Sequence, residues 1–135
     1  MLSMSGKRPV NLGASGNRLA PIPDSPNAVA SQSEKESQRI KAFELGDLSG
    51  SETIQQIRSI VESMPRSKVI EATDIYLYAE FHSLIFRFTD DVEFLVDEES
   101  KQLNVRSASR VGYSDMGVNR KRVEAIFEQL SKTGQ

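Results

Sequence analysis

Between Lys68 and Ala108 the chain carries strand-like runs in close succession, and a helical pattern stands on either side of that block. This order limits the fold more than any other feature. Strands collected together and flanked by helices favour an antiparallel sheet with helices on one face, whereas a parallel sheet needs a helix between successive strands. The runs are Lys68–Ala72, Ile75–Phe81, Leu84–Phe88, Val92–Val96 and Leu103–Ala108. Thr73-Asp74 and Asp97–Lys101 read as turns. Thr89-Asp90-Asp91 reads either as a tight turn or as a bulge in one long strand, so residues 84–96 are one bulged strand or a hairpin.

Ahead of this block, Ile54, Ile57, Ile60, Val61 and Met64 recur at spacings of three and four. They predict a helix capped by Ser51 and ended by Pro65, with Glu52 suited to the positive end of its dipole. Behind it, Val123, Ile126, Phe127 and Leu130 predict a second helix from about Met116 to Leu130. The expected fold is therefore α+β: an antiparallel sheet of four to five strands with two helices on one face. The other face would carry Tyr76, Tyr78, Glu80 and His82, a surface fit for water, for the N-terminal segment or for a partner.

Residues 1–33 are dominated by Ser, Gly, Pro, Asn and Ala. Such a segment buries too little apolar surface to offset the entropy of ordering it, so it reads as a flexible or extended arm ahead of a single domain over 34–135. Pro21, Pro23 and Pro26 favour an extended, polyproline-like path. Lys7, Arg8 and Arg18 against Asp24 make it a modest cationic docking device at most, and a solvated tail is the simpler reading.

Composition narrows the chemistry. There is no cysteine and a single histidine, His82. Thiolate metal sites, disulfides and cysteine nucleophiles are excluded, and zinc or a Ser-His-Asp triad would have to be built around one imidazole. The reading leans away from an enzyme, and no cofactor is expected. A net charge of −2 disfavours nucleic acid. No run approaches the roughly 18–20 apolar residues of a membrane span, so the expectation is a soluble protein, cytoplasmic or plastid, with peripheral membrane association left open.

Three stretches carry a family pattern: Pro23–Gln32, Phe86–Phe94 and Arg106–Val123. Together they resemble the motifs of the domain of unknown function 1499 family over about residues 19–130. The family usually has cysteine in a Pro-Asn-Cys-Val segment, where this chain has Ala28. The resemblance implies a fold but no reaction. It also implies that the proline-rich stretch near residue 23 belongs to the edge of the domain. The family's occurrence in photosynthetic lineages makes a plastid or thylakoid complex one setting.

Charge is segregated along the chain. Residues 101–122 carry an excess of five positive charges and residues 67–100 an excess of seven negative ones. The first reading is internal pairing, with Arg106 or Arg110 meeting Asp90, Asp91 or Glu93. The second is an anion or partner site built from Arg106, Ser107, Ser109, Arg110, Tyr113, Ser114, Asn119 and Arg120 near a helix N-terminus, where arginine forks and free N–H groups favour negative charge. Asp90, Asp91 and Glu93 offer oxygen ligands to Mg²⁺ or Ca²⁺, against the simpler reading of solvated turn carboxylates. His82 reads as an exposed or hydrogen-bonded side chain at a strand end. The leading functional expectation is a binding or accessory module with a protein partner. The alternative is a small anionic-ligand protein or enzyme using the segment Arg106 to Arg122.

Overall fold

A computed structural model describes residues 8–24, 27–83, 88–110 and 117–133. In chain order its elements are β1 (Ala14–Ser15), β2 (Arg18–Leu19), β3 (Ala28–Ala30), β4 (Phe43–Glu44), α1 (Gly50–Ser63), β5 (Ser67–Ala72), β6 (Tyr76–His82), β7 (Thr89–Asp97), β8 (Gln102–Ser109) and α2 (Val118–Thr133). The fold is α+β, with two helices packed on a mainly antiparallel sheet. The expected long strands are β5 to β8, and β3 and β4 bring the sheet to six. The order is β3-β8-β7-β6-β5, with β4 also pairing along β8.

Strand alternation sorts the sheet into two buried faces. Leu77, Ala79, Val92, Phe94, Leu103 and Val105 are fully buried and meet Ile57, Val61, Val123, Ile126 and Leu130 of the helices. Each such aliphatic or aromatic side chain removed from water contributes about 1.5–3 kcal/mol, so this layer holds the fold together. The face opposite bears Tyr76, Tyr78, Glu80, Asp91, Glu93, Leu95 and Arg106, and it is buried as well.

Several expectations shift in detail. The first helix is capped by Ser49 rather than Ser51: Ser49 Oγ accepts the Glu52 N–H and the Glu52 carboxylate accepts the Ser49 N–H, a reciprocal capping box. The helix stops before Pro65, as its pattern predicts. Thr89-Asp90-Asp91 is neither turn nor bulge. It opens β7, and His82 pairs with Thr89 in an antiparallel hairpin whose connection includes a Ser83 N–H bond to the Phe88 carbonyl. Aspartates are depleted in strands, yet here each finds a buried cationic partner, and that context overrides the local preference. The expected strand over Leu84–Phe88 and the Met116 start of the second helix fall largely or wholly outside the described residues.

The segment read as an arm is docked. Ala28–Ala30 pairs with Arg106–Ala108, adding β3 to the sheet as an edge strand beside β8. Residues 8–24 run over the polar face as a strap, and Leu19 packs with Tyr76, Tyr78 and Leu95. The low apolar content of the segment predicts solvation. What offsets it is a set of polar contacts to the strap backbone, which composition does not reveal.

Candidate functional site

The β8 backbone divides the predicted anion site. Its period of two sends Arg106 and Arg110 to the strap-covered face, and Ser107 and Ser109 to the helix face. Arg120 lies apart from both groups: its Nη2 donates to the Ser37 and Arg39 carbonyls, each at 3.1 Å. Tyr113 and Ser114 lie outside the described residues.

On the strap face, cross-strand register brings opposite charges side by side. Glu93 stands opposite Arg106, while Glu80 stands opposite Asp91, which Arg110 reaches from beyond the end of β8. The Arg110 guanidinium grips Asp91 with Nε and Nη2, both at 2.9 Å, and donates to Glu80 at 2.6 Å. Tyr78 Oη donates to Asp91 at 2.5 Å, and Tyr76 Oη donates to Glu93 at 2.5 Å. From the strap, Arg8 reaches Glu80 at 2.7 Å and the Gly13 N–H reaches Glu93 at 2.7 Å. Arg106 donates to the Ala20 carbonyl at 3.0 Å and the Pro21 carbonyl at 3.2 Å, and its Nη1 lies 3.6 Å from Glu93 Oε1. Among the described residues that buried carboxylate oxygen has no hydrogen-bond partner.

The titration directions follow from these contacts. Burial, then the bonds to Glu93 and Asp91 respectively, push the Tyr76 and Tyr78 hydroxyls well above the ordinary phenol range. Burial pushes the Glu80 carboxyl up, but hydrogen bonds from Arg8, Arg110 and Tyr78 together outweigh it and leave Glu80 below its usual value. Hydrogen bonding to Asp91 holds the Arg110 guanidinium above its ordinary value despite burial. Both tyrosines therefore stay protonated donors, and Glu80 stays ionised at neutral pH.

A second polar cluster sits on the helix face at the same end of the sheet. Ser109 Oγ donates to Asp90 at 2.5 Å, Arg122 pairs with Asp90 at 2.9 Å, and the Arg122 guanidinium lies 4.6 Å from the centre of the Phe81 ring. Asn119 accepts from Ser107, and its amide donates to Ser109 and to the Asn27 carbonyl, tying α2 to β8 and to the start of β3. Ser107, Ser109 and Asn119 are thus brought together, but around a carboxylate.

Asp90, Asp91 and Glu93 do not converge on a cation. Alternation puts Asp90 on the helix face and the other two on the strap face, all three buried rather than solvated. Among the described residues no group of carboxylates and histidine could hold a metal ion. His82 is exposed at the end of β6, with Nδ1 3.0 Å from Thr89 Oγ1. Sequence reasoning missed Glu80, Tyr76 and Tyr78 as partners of the arginines, and it missed Arg122 as the partner of Asp90. The alternation of β6 and β7 was the signal that could have found the first three.

Residues 18–130 match the family model described as Protein of unknown function (DUF1499), and the chain belongs to that family. No curated protein and no solved structure matches it.

Proposed function

We propose that this chain is a non-enzymatic binding or accessory module that acts through contacts with another protein. The observation that carries this reading is that the arginines of the predicted anion site, and Arg122 beside them, are already engaged within the chain. Arg110 is spent on Asp91 and Glu80, Arg106 on strap carbonyls beside Glu93, Arg122 on Asp90, and Arg120 on two carbonyls. An incoming phosphate or carboxylate would have to displace buried carboxylates that cannot reach water, which costs several kcal/mol per ion. Four hydroxyls among the described residues of the site are likewise committed: Tyr76 and Tyr78 serve carboxylates, and Ser107 and Ser109 serve Asn119 and Asp90. A larger complex in a plastid or other photosynthetic setting belongs to this proposal on the family resemblance alone.

The test pairs two measurements on the full chain. Thermal melts against phosphate, pyrophosphate, citrate and a nucleoside triphosphate at fixed ionic strength should show no specific stabilisation, since a ligand bound only by the native state raises its melting temperature. Affinity-tagged chain should retain a stoichiometric partner that excess untagged chain displaces. A reproducible anion shift that Arg110→Ala abolishes would transfer the function to the small-ligand reading.

A further inference from the structure

The strap is held by Arg8 on Glu80, by Leu12 and Leu19 in the apolar cluster, and by a run of contacts to its main chain; the last pattern describes a peptide-binding groove. Arg106 donates to two successive carbonyls, Ala20 and Pro21. Glu93 accepts the Gly13 N–H. Gln32 brackets the strand, with its carbonyl accepting the Leu19 N–H at 2.9 Å and its amide donating to the Asn17 carbonyl at 2.9 Å, and Gln38 donates to the Pro23 carbonyl at 2.9 Å. Only one strap side chain is buried in the polar face: Leu19, 7% exposed among Tyr76, Tyr78 and Leu95. Contacts to carbonyls carry no demand for an N–H at the same residue, so proline is accepted at Pro21 and Pro23. Proline there also favours the extended path before docking and so lowers its entropic cost.

The strap does not complete its own groove. Among the described residues Glu93 Oε1 is buried with no hydrogen-bond donor, Arg106 Nη1 standing 3.6 Å away, although a buried carboxylate oxygen ordinarily finds one. Alongside residues 18–22 lies a cavity of about 390 Å³, bordered by Leu19, Ile22, Gln32 and Val105. Strap residues Arg18 to Ile22 form one wall of that cavity, which marks loose packing of the strap itself, and an occupant that supplied an N–H or a basic side chain to Glu93 would make a bond that the strap does not.

We propose that residues 8–24 are a placeholder. The groove on the polar sheet face takes in trans an extended segment of another protein, with a leucine in the Tyr76–Tyr78–Leu95 pocket, proline two residues on, and a donor for Glu93 Oε1. This inference rests on the protein-contact reading above and names the surface and the partner chemistry. A captured partner that is not released by a competing strap peptide would leave that reading intact and remove this one.

The test uses full-length chain and a fluorescent peptide spanning residues 8–24, followed by anisotropy. Leu19→Ala alters the strap and not the groove, so that variant should bind the peptide about tenfold or more tighter than wild type does, because its own strap competes less. A second variant, Arg8→Ala, removes the strap's ion pair to Glu80 and leaves the groove unchanged, so it should act in the same direction. A peptide carrying Leu19→Ala should bind either variant at least about tenfold more weakly than the wild-type peptide. Folded variants, verified by circular dichroism, that fail to bind the peptide, or that bind both peptides equally, overturn the proposal. So does a wild-type dimer dissociated by the peptide, which would assign the groove to a second copy of this chain.

Discussion

Replacing Arg110 with methionine removes the cation that joins Asp91 to Glu80 while keeping much of the side-chain volume. The side chains of Arg110, Glu80 and Asp91 are 9%, 8% and 2% exposed, so this is a buried pair and not a surface one. Glu80 keeps Arg8, whose side chain is half exposed, whereas Asp91 keeps the Tyr78 hydroxyl and no other cation among the described residues. Deleting one partner of a buried pair strands the other charge, and such changes cost about 3–5 kcal/mol. For a chain of this size that is roughly 10–20 °C in melting temperature. Urea unfolding with an unchanged m value is the assay. Arg110→Met combined with Asp91→Asn should be less destabilised than Arg110→Met alone, because the stranded charge is gone. The pH dependence adds a sign. Glu80 titrates below its unfolded value, so its contribution is full above about pH 4.3 and is lost as pH falls through the lower folded value. The variant lacks one source of that depression, so its deficit relative to wild type should narrow below about pH 4. A loss under about 1 kcal/mol, typical of exposed pairs, with no rescue in the double variant, would refute the reasoning.

Tyr76 and Tyr78 titrate above their unfolded value, so they stabilise the fold fully below about pH 10 and progressively less above it; alkaline unfolding of Tyr76→Phe/Tyr78→Phe should show a shallower loss over that range. Tyr76→Phe alone removes a hydrogen bond to buried Glu93 and should cost about 1.5–3 kcal/mol in urea unfolding at neutral pH. Ser49→Ala opens the capping box of the first helix and should cost about 0.5–2 kcal/mol, read from thermal melts with Ser51→Ala as the near-silent control. Phe94→Ala empties a fully buried site beneath Phe127 and should cost about 3–5 kcal/mol.

Much of the fold was legible because its periodicity is unbroken where burial is greatest. The stripe Ile54, Ile57, Ile60, Val61 predicts α1, and Val123, Ile126, Leu130 predict α2; all of these side chains are buried. The alternation in Tyr76–Phe81 predicts β6. What escaped was held by polar contacts between segments distant in sequence. Asp90 and Asp91 look like turn residues until Arg122 and Arg110 are placed beside them. Ala28–Ala30 looks like part of a loose arm until β8 supplies hydrogen bonds for it. The candidate site was legible as a charge pattern, with Arg106 or Arg110 meeting Asp90, Asp91 or Glu93, but which arginine takes which carboxylate came only with the strand register. Its proposed unity did not hold, because grouping Arg106, Ser107, Ser109 and Arg110 by nearness in sequence ignores the alternation that parts them across a strand.

Native-state hydrogen exchange of the full chain, resolved by residue, tests most directly whether the charged face lies under a docked but displaceable strap. The Gly13 and Leu19 amides, bonded to Glu93 and Gln32, should be protected, yet should open at a lower free energy than the amides of Phe94 and Val105 in the central strands. Arg110→Met should lower the protection of the central strands more than Leu19→Ala does, while Leu19→Ala should act chiefly on the strap. Exchange of Gly13 and Leu19 at unprotected rates would contradict docking, and exchange together with the central strands would contradict displacement.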